Sequence, residues 1–236
     1  KQVKIVWLHT VFLSQSNRKL EMLGSHDSPP MVLDSPLEIA PSDWSALDCY
    51  NLLTGLVVPR PIAWISTVSS DGVSNIAPHS FFNMVAADPP HVMISSTGVK
   101  DTLRNIRATN EFVLNIVTME VVKKMVDTAT NFPPNEDEFE LSGLTPTPSF
   151  RVTPPRILES KAHLECVGVK EMEIGNAFLV FGKVAHVHVA SSIWRNGRVD
   201  TKLLDPVCRL SGSGYAELGK IFKIPIPAWE GPLVTE

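Results

Sequence analysis

The sequence predicts a mainly β protein, an antiparallel barrel or sandwich carrying a few short helices. Three observations point there. Short runs rich in β-branched and aromatic residues recur along the chain, separated by turn signals. The second long run, residues 177–190, alternates with period two, which is the spacing of a strand. And 19 of the 236 residues are proline, roughly 8% against an average near 5%, which disfavours a bundle of helices.

The elements follow in chain order. Residues 61–68 read as a strand, and Ser69-Ser70-Asp71-Gly72 as the hairpin turn after it. Residues 73–77 are the returning strand, ended by Pro78, and residues 91–96 a third strand bracketed by Pro89-Pro90 and Gly98. Residues 101–110 carry Leu103, Ile106 and Arg107 at helical spacing, with Asp101 placed to cap the amino end. A short strand at 111–116 and a second helix at 119–128 come next. The proline-rich, partly acidic stretch 131–155 reads as a long loop, its acidic patch around Glu136 either covering a functional site or, the simpler reading, solvated. Residues 162–174 and 177–190 are two longer strands meeting at Gly175-Asn176.

Composition narrows the class. Hydrophobic residues make up 44% and charged residues 19%, values of a globular chain. A net charge of −4 argues against a nucleic-acid-binding domain. No apolar run approaches the ~20 residues of a membrane helix. The three cysteines, Cys49, Cys166 and Cys208, are widely spaced and form no C-x-x-C, so neither a zinc ribbon nor a redox dithiol is indicated. With no N-x-S/T sequon either, a cytoplasmic location is expected. Residues 1–20 lack acidic side chains and mix Lys1, Lys4, Arg18 and Lys19 with apolar residues, as a mitochondrial transit peptide would. Residues 1–43 are therefore read as an extension or linker without assigned function, and residues 44–236 as the one structural domain.

Several motif matches fail on context. Gly214 to Lys220 fits G-x-x-x-x-G-K, but Ile221 stands where a P-loop needs a hydroxyl, and no strand leads into it. Gly212 and Gly214 do not continue as G-x-G-x-x-G. His186 and His188 share a strand face but lack a third ligand by spacing, so no metal site is assigned. Cys166 reads as a small buried apolar residue, and no G-x-S-x-G elbow is present.

Two stretches gather small polar residues at strand ends: residues 75–83 and residues 95–105. In the second, Ser95, Ser96 and Thr97 leave a strand, Gly98 frees the backbone, and Lys100 arrives as a helix begins. Hydroxyls and one cation at a helix amino end suit an anion such as a phosphate monoester. The same residues also suit ordinary helix capping, and spacing alone does not separate the two.

The order of motifs then makes the sequence recognisable. Pro59-Arg60-Pro61-Ile62-Ala63, Ile65-Ser66-Thr67, Asp71-Gly72 and Asn75-Ile76-Ala77-Pro78 with Ser80-Phe81-Phe82-Asn83 come first. Asp88-Pro89-Pro90, Lys100-Asp101-Thr102-Leu103-Arg104-Asn105 and Glu111-Phe112-Val113-Leu114-Asn115 follow. Asp137-Glu138-Phe139-Glu140 with Gly143-Leu144, then Leu164-Glu165-Cys166, then Arg209, Gly212 and Tyr215 complete the series. Together they resemble the flavin reductase-like family of FMN-binding split barrels over residues 44–229. Ser211 departs from that pattern, where the family often has glycine.

The resemblance implies a six-stranded Greek-key split barrel, a homodimer, and FMN near the subunit interface. It implies that Ile65, Ser66 and Thr67, with Asn75, Ala77, Pro78, His79 and Ser80, approach the flavin ring and ribityl chain. Ser95, Ser96, Thr97, Lys100 and Thr102 become the phosphate grip. His79 is read as a wall residue, and at least one of Phe81 and Phe82 as core packing. No side chain is assigned as catalytic. The implied activity is an NAD(P)H:flavin reductase passing hydride from NADH or NADPH to flavin, with a monooxygenase or other electron acceptor as partner. The alternative is a flavoredoxin-like electron carrier that meets a protein partner.

Overall fold

The computed structural model describes residues 37–133 and 135–227. The proposed transit segment lies outside the described residues, as does most of the extension. The described residues from Pro41 onward form one compact unit. Among the described residues no helix is long and apolar enough to cross a membrane.

The molecule is mainly β, built on one large antiparallel sheet with few helices. Its strands are β1 (Ala63–Val68), β2 (Ser74–His79), β3 (Phe82–Ala87), β4 (Pro90–Thr97), β5 (Glu111–Ile116), β6 (Ala162–Ile174) and β7 (Ala177–Val189). They run β2-β1-β5-β6-β7-β4-β3. The sheet therefore holds seven strands, one more than the sequence elements marked out above. The added one is β3, whose outer positions are largely exposed without a period of two, so it carries no alternation to read.

β1 shows why this sheet has cores on both faces. Ile62 and Trp64 enter one buried cluster with Ile76, Met125 and Phe139; Ala63 and Ile65 enter another with Ile94, Leu103, Phe112 and Val180. Cys166 lies in the second, fully buried, and Phe82 packs against it. Trp64 gives its ring N–H to Thr128 Oγ1 at 2.8 Å. Packing is close enough that glycine is required at Gly182: a Cβ there would stand 2.5 Å from Phe112 Cζ.

Four helices matter for the site: α1 (Ala46–Leu56), α2 (Asp101–Thr109), α3 (Val122–Asp127) and α4 (Glu138–Ser142). α1 had no counterpart in the sequence reading. Within the stretch 131–155 the α4 residues form a short helix and not loop, with Phe139 in the core and Glu138 buried, while Glu136 and Glu140 are exposed as expected. Asp137 caps that helix by accepting from Phe139 N at 2.8 Å.

Candidate functional site

A cleft of about 690 Å³ opens where the end of β2, the end of β4 and the start of α2 come together. Ten predicted residues line it: Asn75, Ala77, Pro78, His79, Ser80, Ser95, Ser96, Thr97, Lys100 and Thr102. The remaining three, Ile65, Ser66 and Thr67, do not. β1 is an inner strand, paired on one side with β2 and on the other with β5. Ile65 is core; Ser66 donates to Pro155 O at 2.6 Å; Thr67 accepts from Asn105 Nδ2 at 3.1 Å. All three side chains are fully buried and engaged away from the cleft.

The polar end of the cleft is built by the chain leaving β4. Gly98 adopts φ +78°, a conformation that side chains rarely take, and Ser96 Oγ donates to Gly98 O at 3.0 Å. The chain then extends through Lys100 at φ −102°, ψ 178° and enters α2 with no side chain capping the helix. Asp101 is not the cap expected from sequence: it lies inside the first turn, in an ion pair with Arg104. The first N–H groups of α2 are thus left without intrahelical or side-chain partners, and they carry the positive end of the helix dipole. Exposed Lys100 makes no ion pair among the described residues. Thr102 is held from behind, Asn75 Nδ2 donating to its Oγ1 at 3.1 Å.

Two titratable groups set the charge along the wall. Burial lowers His79 to about 4, a Ser95 backbone group opposing and Lys100 adding to the shift, so the ring is neutral near pH 7. Its Nε2 is buried without a hydrogen-bond partner. Burial raises Glu138 to about 7; the Ile76 N–H, 2.6 Å from Oε2, opposes this, while Asp101 and Asp137 add to it. Glu138 was missed because acidic runs are usually solvated. Tyr50, Arg209 and residues 128–132 also line the cleft without having been assigned. The polar Thr128-Ala129-Thr130-Asn131 cluster after α3 was the one available signal for that loop.

A cavity of about 790 Å³ lies elsewhere, walled by Met119, Val122, Val126 and Tyr215 among others. None of the predicted residues reaches it, and it lacks the convergent small polar groups of the cleft. The cleft is the better candidate.

Comparison with known proteins shows what the chain as a whole is similar to. A family profile described as "Flavin reductase like domain" matches residues 55–202. An uncharacterized protein of Aquifex aeolicus strain VF5 is 44% identical over 174 residues, 71% of this chain and 89% of that protein. Among solved structures, nitrilotriacetate monooxygenase component B from Bacillus cereus is 38% identical with a TM-score of 0.79, covering 81% of this chain and 100% of that one. Pseudomonas fluorescens 2-nitrobenzoate 2-nitroreductase is 31% identical with a TM-score of 0.77, covering 84% and 100%.

Proposed function

The chain belongs to the flavin reductase-like family, and from that premise we propose that its cleft binds FMN and that the protein is an NAD(P)H:flavin oxidoreductase. The observation that carries this reading is the open amino end of α2, with Lys100 and the Ser95–Thr97 hydroxyls beside it, at one end of a cleft of small-molecule size. That end suits a terminal phosphate monoester, which takes several hydrogen bonds and a point charge. The residues present fit the group: the helix N–H groups and Lys100 hold the phosphate, and the buried, unpartnered His79 Nε2 supplies a polar atom on the wall. The chemistry supplied by a flavin in such a site is transfer of a hydride from nicotinamide to its N5, followed by delivery of electrons to an acceptor.

The chain's own part is positional. Asn75 fixes Thr102, Gly98 turns the chain between β4 and α2, and the ring of His79 adds no charge near pH 7. No protein group is needed to carry a proton in the hydride step. We place the closure of the sheet into a split barrel, the pairing of two copies and electron transfer to a monooxygenase within the same proposal. The approach of β2 to β4 at the cleft supports the first of these.

The test is an absorbance spectrum of the purified protein with added FMN, followed by NADH and NADPH titration. Bleaching by either nicotinamide is expected. If both fail while a chemical reductant bleaches the flavin, the reductase reading is lost. Bound FMN that is reduced but passes nothing to added free flavin points to an electron carrier instead.

A further inference from the structure

Arg60 is the one buried lysine or arginine among the described residues, 6% exposed. All its partners are neutral. Nη1 donates to the carbonyls of Thr54 and Val57, both at 2.7 Å, and Nη2 to that of Leu210 at 2.8 Å. Nε is buried with no partner, and no carboxylate pairs with the guanidinium among the described residues. A buried charge without a counter-ion is costly to hold.

Arg60 lines a separate cavity of about 500 Å³. The walls are apolar and aromatic, with Leu53, Phe81, Phe82 and Met93, and no aspartate or glutamate contributes to them. The guanidinium carbon stands 5.8 Å from the centre of the Phe81 ring. Asn83 is a second donor on this wall: its Oδ1 is taken by Met84 N at 2.8 Å, which leaves the amide NH₂. Tyr50, Ser80 and Phe81 line both this cavity and the main cleft, so the two adjoin.

We propose that this cavity is a binding site for a small planar aromatic carboxylate. Aromatic and aliphatic walls suit a ring, the unpaired guanidinium supplies the missing opposite charge, and the volume is that of a small-molecule site. Two N–H groups of Arg60, one on Nε and one on Nη2, are left without a partner, and with one amide they match the two oxygens of a carboxylate better than a phosphate, which asks for more donors.

The experiment is calorimetric titration of benzoate and of its neutral isostere benzamide into the purified protein, with and without saturating FMN. Saturable benzoate binding is expected, with benzamide weaker by about tenfold or more and FMN without effect on either. Arg60→Gln should weaken benzoate by a similar factor. Because Arg60 also ties down three carbonyls, thermal melting accompanies that variant. Leu53→Trp tests the same cavity with every Arg60 bond in place: the indole fills the space and should abolish benzoate binding while FMN affinity stays unchanged. No saturation at millimolar benzoate, equal binding of benzamide, full binding to Leu53→Trp, or displacement by FMN would each overturn the proposal. Failure of FMN to bind would sink the flavin reading and leave this one standing.

Discussion

Two helices of similar length begin in opposite ways. α1 starts at Ser45, which is exposed and accepts from Asp48 N at 3.1 Å, so the chain itself satisfies that amino end. α2 starts at Lys100, with no side chain on its first N–H groups and with its acidic residue, Asp101, drawn off to Arg104. The first end serves the helix. The second leaves its donors in a cleft and sets a cation beside them, which a purely structural helix start has no reason to do. Helix ends that look alike in sequence are thus separated by where their donors point.

The largest test of that contrast removes the α2 grip. Lys100→Ala combined with Thr97→Ala takes away one charge-assisted and one neutral hydrogen bond, and FMN affinity should fall by about 2–4 kcal/mol. Riboflavin, which has no phosphate, should be almost unaffected in the same fluorescence titration. FMN affinity unchanged within error breaks the contrast outright.

The shifted groups that line the cleft can be tested by pH. Burial lifts Glu138 from its ordinary 4.5 to about 7. The folded chain then keeps a proton that the unfolded chain has lost, so the stabilisation is complete below 4.5 and disappears as pH rises through about 7. His79, lowered from 6.5 to about 4, works the other way: its contribution is complete above 6.5 and lost as pH falls through 4. Glu138→Gln keeps an acceptor for Ile76 N and removes only the first effect. In urea unfolding, the variant should gain on wild type steadily from about pH 5 to about pH 8. A constant difference across that range would show that Glu138 does not titrate as its burial demands.

The control comes from α1. Ser45→Ala removes a working cap and should cost about 1 kcal/mol of stability, read as a lower melting temperature, while FMN affinity stays where it was. A fall in FMN affinity would mean that the two helix ends are not independent.

How far this was legible in the sequence depends on range. Strands with clear alternation or β-branched runs, such as β1, β5 and β7, were visible because their neighbours in sequence carry the signal. β3 was not, since pairing with β4 places it and its own largely exposed positions carry no alternation. The same divide runs through the site. The hydroxyl turn and Lys100 lie within a few residues of one another and could be read together. Glu138, residues 128–132 and Tyr50 reach the cleft only through the tertiary fold. Ile65, Ser66 and Thr67, named from motif order, do not line the cleft: their side chains are buried against the core, Pro155 O and Asn105 Nδ2. Asp101 shows the finest grain of error. A shift of one residue in the helix start makes it an ion-pair partner and not a cap.

The smallest effect tests whether the open end has a cost. Lys100→Ser gives α2 the kind of start that α1 has. If the α2 donors are unsatisfied without a ligand, the hydroxyl should stabilise the flavin-free protein by about 0.5 kcal/mol, while FMN affinity falls because the cation is gone and a capping oxygen now occupies the donors. The two effects have opposite signs, and that opposition is the informative part. A helix start that is only imperfectly capped predicts the gain in stability without the loss of affinity. One held open for an anion predicts both, from a single substitution read by a melting curve and an FMN titration.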